Sequence, residues 1–265
     1  MFTVGAAIGL FGWGSIIASV GWREGLLIGA GVGLATLILM FVLFPTPPSS
    51  SGEVLQGEHL GPESLRRVFG NSTLWIMGFA LLGGYGSYFS AAQLLPHYAQ
   101  STLDIDAGTA EAISVILLVS RIPGAFIGWL TDRALGAVPT FLAALVLEAI
   151  AFLLIPYLGL HGVEIAAAII GAAGIADFVP FVTIPGQQGS VFHISDIPTA
   201  VGLMLTIAAV GGAVVPPLFS RIASDFGFQA AWSFEGLISL GFASLALVAR
   251  STRAVAVAPA IRAGG

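Results

Sequence analysis

Long apolar segments alternate with short polar ones along almost the whole chain. Eight of these segments have the roughly 17–24 residues that a helix needs to cross a hydrocarbon layer about 30 Å thick. None of them carries a polar stripe broad enough for a helix that faces water. The pattern therefore predicts an all-α integral membrane protein with about eight transmembrane helices, at residues 3–19, 24–44, 72–95, 109–130, 138–158, 164–185, 199–219 and 231–249.

Composition excludes the ordinary soluble class of protein. Of the 265 residues, 57% are hydrophobic and 9% are charged, whereas soluble domains carry about 25% charged residues. The mean hydropathy of +0.97 agrees with this conclusion. Because the chain contains no cysteine, it forms neither a disulfide nor a thiolate metal site.

The arginines predict how the helices are oriented, since all nine basic residues are arginine. Eight crossings place both termini on one side, and the loops of that side hold Arg66, Arg67, Arg133, Arg250, Arg253 and Arg262. The opposite loops hold Arg23 and Arg221, while Arg121 lies within a predicted helix. Because loops rich in arginine remain in the cytoplasm, we expect a multi-pass protein of the plasma membrane with both termini cytoplasmic.

Residues 45–71 form the longest segment between two apolar ones. Its first part, "PTPPSSSGEVLQG", is rich in proline, serine and glycine, as flexible linkers are. Its second part, from Pro62 to Phe69, is predicted as a short helix on the membrane surface. Proline suits the first turn of a helix, and Leu65, Val68 and Phe69 form a small apolar face. We expect a cytoplasmic linker that follows the first two membrane helices.

A weak internal repeat relates the first pair of apolar helices to the last pair. A shift of 206 residues places "GAAIGLFGWGSIIASVGWR" over "GGAVVPPLFSRIASDFGFQ" without a gap. Gly21 then coincides with Gly227, and Trp22 coincides with Phe228. Transporters that are built from two parallel halves show relations of this kind.

Four stretches together resemble the major facilitator superfamily: "GWLTDRALG" its cytoplasmic loop motif, "GWR" a tight helix connection, "ESLRRVFGNSTLW" the approach to its seventh helix, and "GGAVVPPLF" with "DFGFQAAW" its last two helices. Their order implies helices five to twelve of that family, with parallel half repeats. The resemblance implies that residues 1–44 end the N-terminal half, 45–71 are the linker, 72–250 are the C-terminal six-helix half and 251–265 are a cytoplasmic tail. Because the family's cavity needs both halves, we expect that N-terminal helices are missing from this sequence or come from a partner chain.

The stretch "GWLTDRALGAVP" places two charges between two apolar helices. The resemblance implies that Gly128, Asp132, Arg133 and Gly136 form a gate on the cytoplasmic side, in which the carboxylate exchanges partners between two states. The alternative is a capped and hydrated turn in which Arg133 only anchors the chain at the cytoplasmic surface.

Three charged residues lie near the middle of predicted helices, where an ionic group is costly unless it is paired or hydrated. Arg121 is a candidate for binding an anionic substrate group by two parallel hydrogen bonds. Asp177, close to Pro180 and Pro185, is a candidate proton or cation carrier, and Glu148 is a further candidate on a helix that the resemblance implies is peripheral. The alternative is a structural ion pair of Arg121 with Asp177 or Glu148.

The helix predicted at 72–95 carries uncharged polar side chains in the stretch "GGYGSYFSAAQLLPHYAQ". Tyr85, Tyr88 and Gln93 are candidates for lining a transport path, and Gln93 shares a helix face with His97, four residues on. The alternative for His97 and Tyr98 is an anchoring role at the membrane interface.

These features predict a secondary active transporter of a small solute, with an organic anion favoured by Arg121 and with a coupled proton or other ion. The alternative is a truncated, non-transporting membrane scaffold or sensor. The chain contains no Gly-x-Ser-x-Gly, His-Glu-x-x-His or phosphate-binding loop, so we expect no catalytic residue, metal or cofactor. The expected partners are the solute and membrane lipid, and no nucleic acid.

Overall fold

A computed structural model provides the structure of the chain and describes residues 16–17, 19–43, 62–122, 137–174 and 196–262. The chain divides into two compact units, Met1–His59 and Leu60–Gly265. Within the described residues every regular element is a helix, and no strand occurs. The prediction of an all-α protein is therefore confirmed.

The first unit contains helix α1, Trp22–Leu43, at the position of the predicted segment 24–44. Gly21 directly precedes it with a φ of +89°, a conformation that glycine adopts more readily than other residues. The Gly21 amide donates a hydrogen bond to the carbonyl oxygen of Ile17 over 2.9 Å, which closes the preceding turn. Gly25 is the one buried residue of α1. The apolar side chains of α1 are exposed, as expected of a helix that faces lipid or further protein.

The second unit contains the other described helices: α2 Pro62–Phe69, α3 Ser72–Leu103, α4 Ala107–Val119, α5 Ala137–Leu154, α6 Leu160–Ala173, α7 Ile197–Phe226 and α8 Phe228–Arg262. A short 3-10 turn, Ile155–Tyr157, follows α5. The helix predicted on the linker is confirmed by α2, and α3, α5, α7 and α8 cover four predicted membrane segments. α4 and α6 cover the first parts of segments 109–130 and 164–185. α4 ends at Val119, so Arg121, predicted near the middle of a helix, lies in the turn that follows it. Residues 123–130 and 175–185, and most of segment 3–19, lie outside the described residues.

Two helices extend beyond the segments predicted for them. α3 continues to Leu103 and α8 continues to Arg262, instead of ending near residues 95 and 249. With 32 residues, α3 is about 48 Å long, which exceeds the hydrocarbon thickness of about 30 Å. Apolarity marks the part of a helix that lies in lipid, whereas good helix formers such as alanine prolong the helix beyond it.

Polar side chains cap the start of α3 and the start of α4. α3 begins after Asn71, whose side chain accepts a hydrogen bond from the Leu74 amide over 3.2 Å, and ends at Asp104 with a φ of +54°. The side chain of Asp106 then accepts hydrogen bonds from the Thr109 amide (3.0 Å) and the Thr109 hydroxyl group (2.6 Å). Such caps satisfy amide groups that the first turn of a helix leaves unpaired.

α3 is central to the second unit and packs against α4, α7 and α8. It crosses α7 at Gly211, where a Cβ atom would collide with the carbonyl oxygen of Leu82. Small residues at such crossings let helix backbones approach closely in membrane proteins. Trp232 of α8 is fully buried and joins three other helices. Its ring centroid lies 5.7 Å, 6.0 Å and 4.6 Å from those of Tyr98, Phe152 and Phe219.

Helix length and apolarity are those of a membrane protein. Within the described residues, the stretches long and apolar enough to cross a membrane are Trp22–Leu43, Pro139–Tyr157 and Ile197–Phe226. The shorter helices α4 and α6 are apolar as well. α3 is longer still, but the tyrosines, serines and glutamine along it make it more polar than α4, α6 and α7. The central helix of the second unit is thus more polar than three of the helices that pack against it.

Candidate functional site

Arg121 lies just after the end of α4 and is almost fully buried, with 4% of its surface exposed. Its Nη2 atom donates a hydrogen bond to the carbonyl oxygen of Gly174 over 2.8 Å. Its guanidinium carbon lies 4.1 Å from the centre of the Tyr88 ring, and the π face of an aromatic ring attracts a cation. α3 and the ends of α4 and α6 therefore meet at one buried cation. We call Tyr88, Arg121 and Gly174 the Arg121 site.

The two contacts of Arg121 orient its guanidinium group. The Tyr88 ring covers one face of the plane, and the Gly174 carbonyl group binds one edge. A guanidinium carries five N–H donors in a rigid fork, and a carboxylate fits two of them at once. Charge-assisted hydrogen bonds are stronger in a buried environment of low polarity. The structure thus brings two predicted site residues, Tyr88 and Arg121, together at one buried cation.

Two other predicted residues, Tyr85 and Gln93, also lie on α3. Tyr85, Phe89, Gln93 and His97 follow one another at intervals of four residues and so form one stripe. Tyr85 is half-buried, and its ring centroid lies 4.7 Å from that of Phe89. Gln93 and His97 are exposed. His97 also borders a cleft of about 300 Å³, whose other walls belong to α7 and the start of α8.

Glu148 lies on α5 and is fully buried, as expected for a charged residue that points into the bundle. The residue after it, Ala149, lies where α5 closely approaches α8. A Cβ atom placed on Gly236 would lie 3.0 Å from the Ala149 carbonyl oxygen. The remaining predicted site residues lie outside the described part of the chain: Gly128, Asp132, Arg133, Gly136 and Asp177. Their proposed roles remain predictions.

Glu235, on α8, is a fully buried carboxyl group that the predicted site does not include. Within the described residues neither carboxyl oxygen has a hydrogen bond of normal geometry, and no cation pairs with the group. The hydroxyl groups of Ser87 and Ser90 face it from α3. Ser239, one turn further along α8, is buried too, and its hydroxyl group has no hydrogen-bond partner in the same part of the chain. We call these four residues the Glu235 site.

Glu235 was not among the predicted site residues, although the sequence alone marks it as a candidate. It is an acidic residue within the predicted membrane segment 231–249, and an ionisable residue in such a segment is a functional candidate by default. The same criterion selected Asp177 and Glu148. The two serines that face Glu235 lie on a distant stretch of chain, so no local pattern connects them with it.

A further cluster, also absent from the predicted site, joins α2 to the start of α7. Asp196 is fully buried, and its Oδ1 atom accepts hydrogen bonds from the Ser64 hydroxyl group and from Arg67 Nη2 (3.1 Å). Its Oδ2 atom accepts a hydrogen bond from Arg67 Nε over 2.9 Å. This is the two-pronged geometry of an arginine–carboxylate pair. The partners are 129 residues apart. The sequence therefore indicated only that Arg67 belongs to a cytoplasmic loop, and it did not indicate the pair.

The described residues hold no group of three or more histidine, cysteine, aspartate or glutamate side chains that could bind a metal ion. The polar groups of the Arg121 and Glu235 sites are a guanidinium, a carboxyl group, hydroxyl groups and a backbone carbonyl group. Such groups bind anions, protons and polar solutes by hydrogen bonds.

Comparison with known proteins identifies the family. The family model of the Major Facilitator Superfamily matches residues 1–133, which is half of the 265-residue chain. The matched part includes α1 to α4 and Arg121. Comparison with curated proteins found no match. The chain belongs to the Major Facilitator Superfamily of membrane transporters.

Proposed function

We propose that this protein is a secondary active transporter that moves a small organic anion by alternating access. The observation that carries the proposal is the buried Arg121 side chain, held between the Tyr88 ring and the Gly174 carbonyl group. A cation inside an apolar bundle is costly unless charged or polar groups surround it. The anionic group of a bound solute is such a partner, and it suits the two-pronged geometry of a guanidinium.

The path to the Arg121 site is proposed to run along α3. Tyr85 is half-buried and lies just before the buried Tyr88, and Gln93 is exposed and lies just after it. A solute that moves along this helix would pass from exposed polar groups to a buried cation. Rocking of the two halves about a site near the membrane centre would expose that site to each side in turn.

Further roles are proposed for charged residues around this path. Glu148 and Asp177 are proposed to bind a coupled proton or cation, since a buried carboxyl group can change its protonation. The cytoplasmic gate is proposed to comprise Gly128, Asp132, Arg133 and Gly136. The carboxylate of this turn would bind different partners in the two states.

The proposed organisation places residues 1–44 at the end of one half, 45–71 in a linker, 72–250 in the other half and 251–265 in a tail. The proposed cavity also needs helices from further N-terminal sequence or from a partner chain. The arginine distribution favours a plasma-membrane protein with cytoplasmic termini. Because the chain has no cysteine, single cysteines at Ser51 and at the exposed His161 can test this. An impermeant thiol reagent should reach the first only from the cytoplasm and the second only from outside.

Solute uptake tests the proposed function directly. Cells that express the protein are offered labelled small mono- and dicarboxylates, together with neutral and cationic solutes of similar size. We expect uptake of a carboxylate. In the Arg121→Gln variant, the apparent affinity should fall at least tenfold, or ~1.4 kcal/mol, because a desolvated charged partner is lost. Arg121→Lys keeps the charge but not the fork, so it should restore only part of the uptake.

A matched control is available in Arg221, whose side chain is 78% exposed and pairs with Asp225 four residues on. Arg221→Gln should leave uptake unchanged. All three variants are compared for thermal stability in detergent, so that misfolding is recognised. A well-folded Arg121→Gln variant with wild-type uptake would contradict the role of Arg121. Uptake confined to neutral or cationic solutes would contradict the substrate class.

A further inference from the structure

Glu235 lies in the second turn of α8, about 10 Å along the helix from its start at Phe228. Its carboxyl group is fully buried and has no hydrogen bond of normal geometry within the described residues. Ser87 and Ser90 face it from α3, and Ser239 is on the same face of α8, four residues on. An unpartnered buried polar group is rare in a native fold and calls for an explanation.

The surroundings of Glu235 hold no cation to balance a negative charge in the part of the chain that the structure describes. α3 contributes the two serines, and its titratable side chains are Tyr85, Tyr88, His97 and Tyr98, of which His97 is exposed and packs against Phe228 at the start of α8. α5 contributes the buried carboxyl group of Glu148. The ionisable residues of α7, Arg221 and Asp225, form an exposed pair near its end. Among the described residues, the bases on the helices packed against α8 are His97 and Arg221, and both are exposed and form no ion pair with Glu235.

We propose that Glu235, with the hydroxyl groups of Ser87, Ser90 and Ser239, forms a proton-binding site of this protein. An uncompensated carboxylate is unfavourable in apolar surroundings, whereas a neutral carboxylic acid is tolerated. Proton release breaks the carboxyl O–H bond, leaves a carboxylate and passes the proton to water. Proton binding reverses this step and needs no other reactant.

The Ser90 hydroxyl group already has a hydrogen bond within α3. The Ser90 hydroxyl group donates its one hydrogen to the Gly86 carbonyl oxygen over 3.2 Å. Towards Glu235 it can therefore only accept a hydrogen bond. A carboxylate has no hydrogen to donate, but a protonated carboxyl group has one. While Ser90 keeps its hydrogen bond to Gly86, it can pair with the protonated acid, whereas the hydroxyl groups of Ser87 and Ser239 can pair with either form.

The fold also links proton release to movement of the helices. α3 approaches α8 at Gly83, where a Cβ atom would lie 2.5 Å from Phe242, and α5 approaches it at Gly236. Glu235 is fully buried next to the second of these contacts, so separation of α8 from α3 or α5 would open a path for water to it. A proton that exchanges only in one arrangement of helices can bias the equilibrium between two arrangements.

The internal repeat argues against a purely structural role. A shift of 206 residues places Glu235 over Gly29 and Ser239 over Gly33. The corresponding helix of the first unit, α1, therefore lacks both polar groups. A helix at this position of the repeat therefore forms without a carboxyl group, so Glu235 is not needed for helix formation itself.

Infrared spectroscopy of the purified full chain tests proton binding without any solute. The C=O stretching band of a protonated carboxyl group should be present at neutral pH and disappear in alkali. In Glu235→Gln this one band should be absent, whereas Glu111→Gln, which changes an exposed glutamate of α4, should leave it unchanged. An unchanged band in Glu235→Gln would overturn the proposal. So would loss of the band when N-methylglucamine is replaced by sodium at constant pH, because that would indicate a sodium site.

A second variant covers the case in which Glu235→Gln does not fold. Ser90→Ala retains the acid but removes its hydrogen-bond acceptor, so the carboxyl band should move without being lost. An unmoved band in Ser90→Ala would contradict the arrangement proposed here. Chromatographic profiles and melting temperatures identify the variants that are folded.

Coupling to solute movement is a separate step that rests on the proposed transport function. In proteoliposomes, a pH gradient should drive accumulation of the transported carboxylate by the wild-type protein. Glu235→Gln should lose this accumulation but keep exchange of labelled for unlabelled solute, since exchange needs no net proton movement. Normal gradient-driven accumulation in Glu235→Gln would overturn coupling through this residue. If the wild type moves no solute, the transport proposal fails, while the infrared result still decides whether Glu235 binds a proton.

Discussion

Two tight turns in different units of the molecule have nearly the same local structure. Gly21 and Gly227 have φ values of +89° and +86°. Each donates its amide hydrogen to the carbonyl oxygen four residues earlier, over 2.9 Å and 3.0 Å. Each is followed directly by an aromatic residue that begins the next helix, Trp22 for α1 and Phe228 for α8. The register of 206 residues that relates them was predicted from sequence, and the shared turn geometry supports it.

The helices that follow these turns differ in their surroundings. α1 buries only Gly25. α8 packs against α3, α5 and α7 and buries Ala231, Trp232, Glu235, Ser239 and Ala243. Glycine and an aromatic residue thus set the local turn, whereas neighbouring helices decide what the next helix buries. The exposed apolar surface of α1 is suited to lipid or to further helices of the same transporter.

The largest effect is expected for paired alanine substitutions at equivalent positions of the two helices. Trp232 is fully buried, whereas its counterpart Leu26 is 57% exposed. Trp232→Ala should cost about 3–5 kcal/mol, because a large cavity remains among the surrounding aromatic rings. Leu26→Ala should have a small effect. Thermal unfolding of both variants in the same detergent measures the difference. A large loss for Leu26→Ala would show that another protein segment covers α1.

A smaller effect, equal in the two units, is expected at the turns themselves. A Cβ atom on Gly227 would meet nothing within 4 Å, so Gly227→Ala tests the backbone alone. Its φ of +86° and ψ of +166° are essentially confined to glycine, and other residues there cost about 1–3 kcal/mol. Gly21→Ala should cost a similar amount. Gly241→Ala is the control, since this helical glycine also has open space and alanine favours a helix. Unequal melting temperatures for the two turn variants would weaken the repeat.

The fold could be predicted largely because apolarity in a membrane protein is a local property. Segments of about 20 apolar residues predicted the positions of most described helices, since each must satisfy its own backbone hydrogen bonds in lipid. The ends of α3 and α8 could not be predicted in this way. Hydropathy reports where lipid ends, whereas a helix ends where its caps and propensities end it.

The site was less predictable because its contacts join distant segments. The sequence identified Arg121 and Tyr88 separately, but nothing local placed one over the other. The Arg67–Asp196 pair was equally hidden, because each partner has ordinary neighbours in sequence. Glu235 differs from these, since the rule for ionisable groups in apolar segments was sufficient to find it. Burial by α3 and α5 then distinguishes it from an exposed glutamate.

The smallest effect is expected at the connection between α3 and α4. Here the Asp106 carboxylate caps the next helix, whereas a glycine precedes the next helix in the two turns compared above. Asp106 is exposed and accepts hydrogen bonds from the Thr109 hydroxyl group and the Thr109 amide. The hydroxyl bond, and then the amide bond, hold the pKa of Asp106 below its ordinary value. The charged carboxylate is therefore favoured more in the folded than in the unfolded protein.

This lowered pKa makes the connection sensitive to acid, unlike the two glycine turns. The contribution of the Asp106 charge is fully present above the ordinary aspartate pKa and is lost as the pH falls through the lowered folded-state pKa. Asp106→Asn should therefore melt slightly below the wild type at neutral pH, and the two should converge in acid. Because Gly227 has no titratable side chain, the deficit of Gly227→Ala should not change with pH. A wild-type advantage over Asp106→Asn that persisted in acid would show that the cap stabilises α4 by shape rather than by charge.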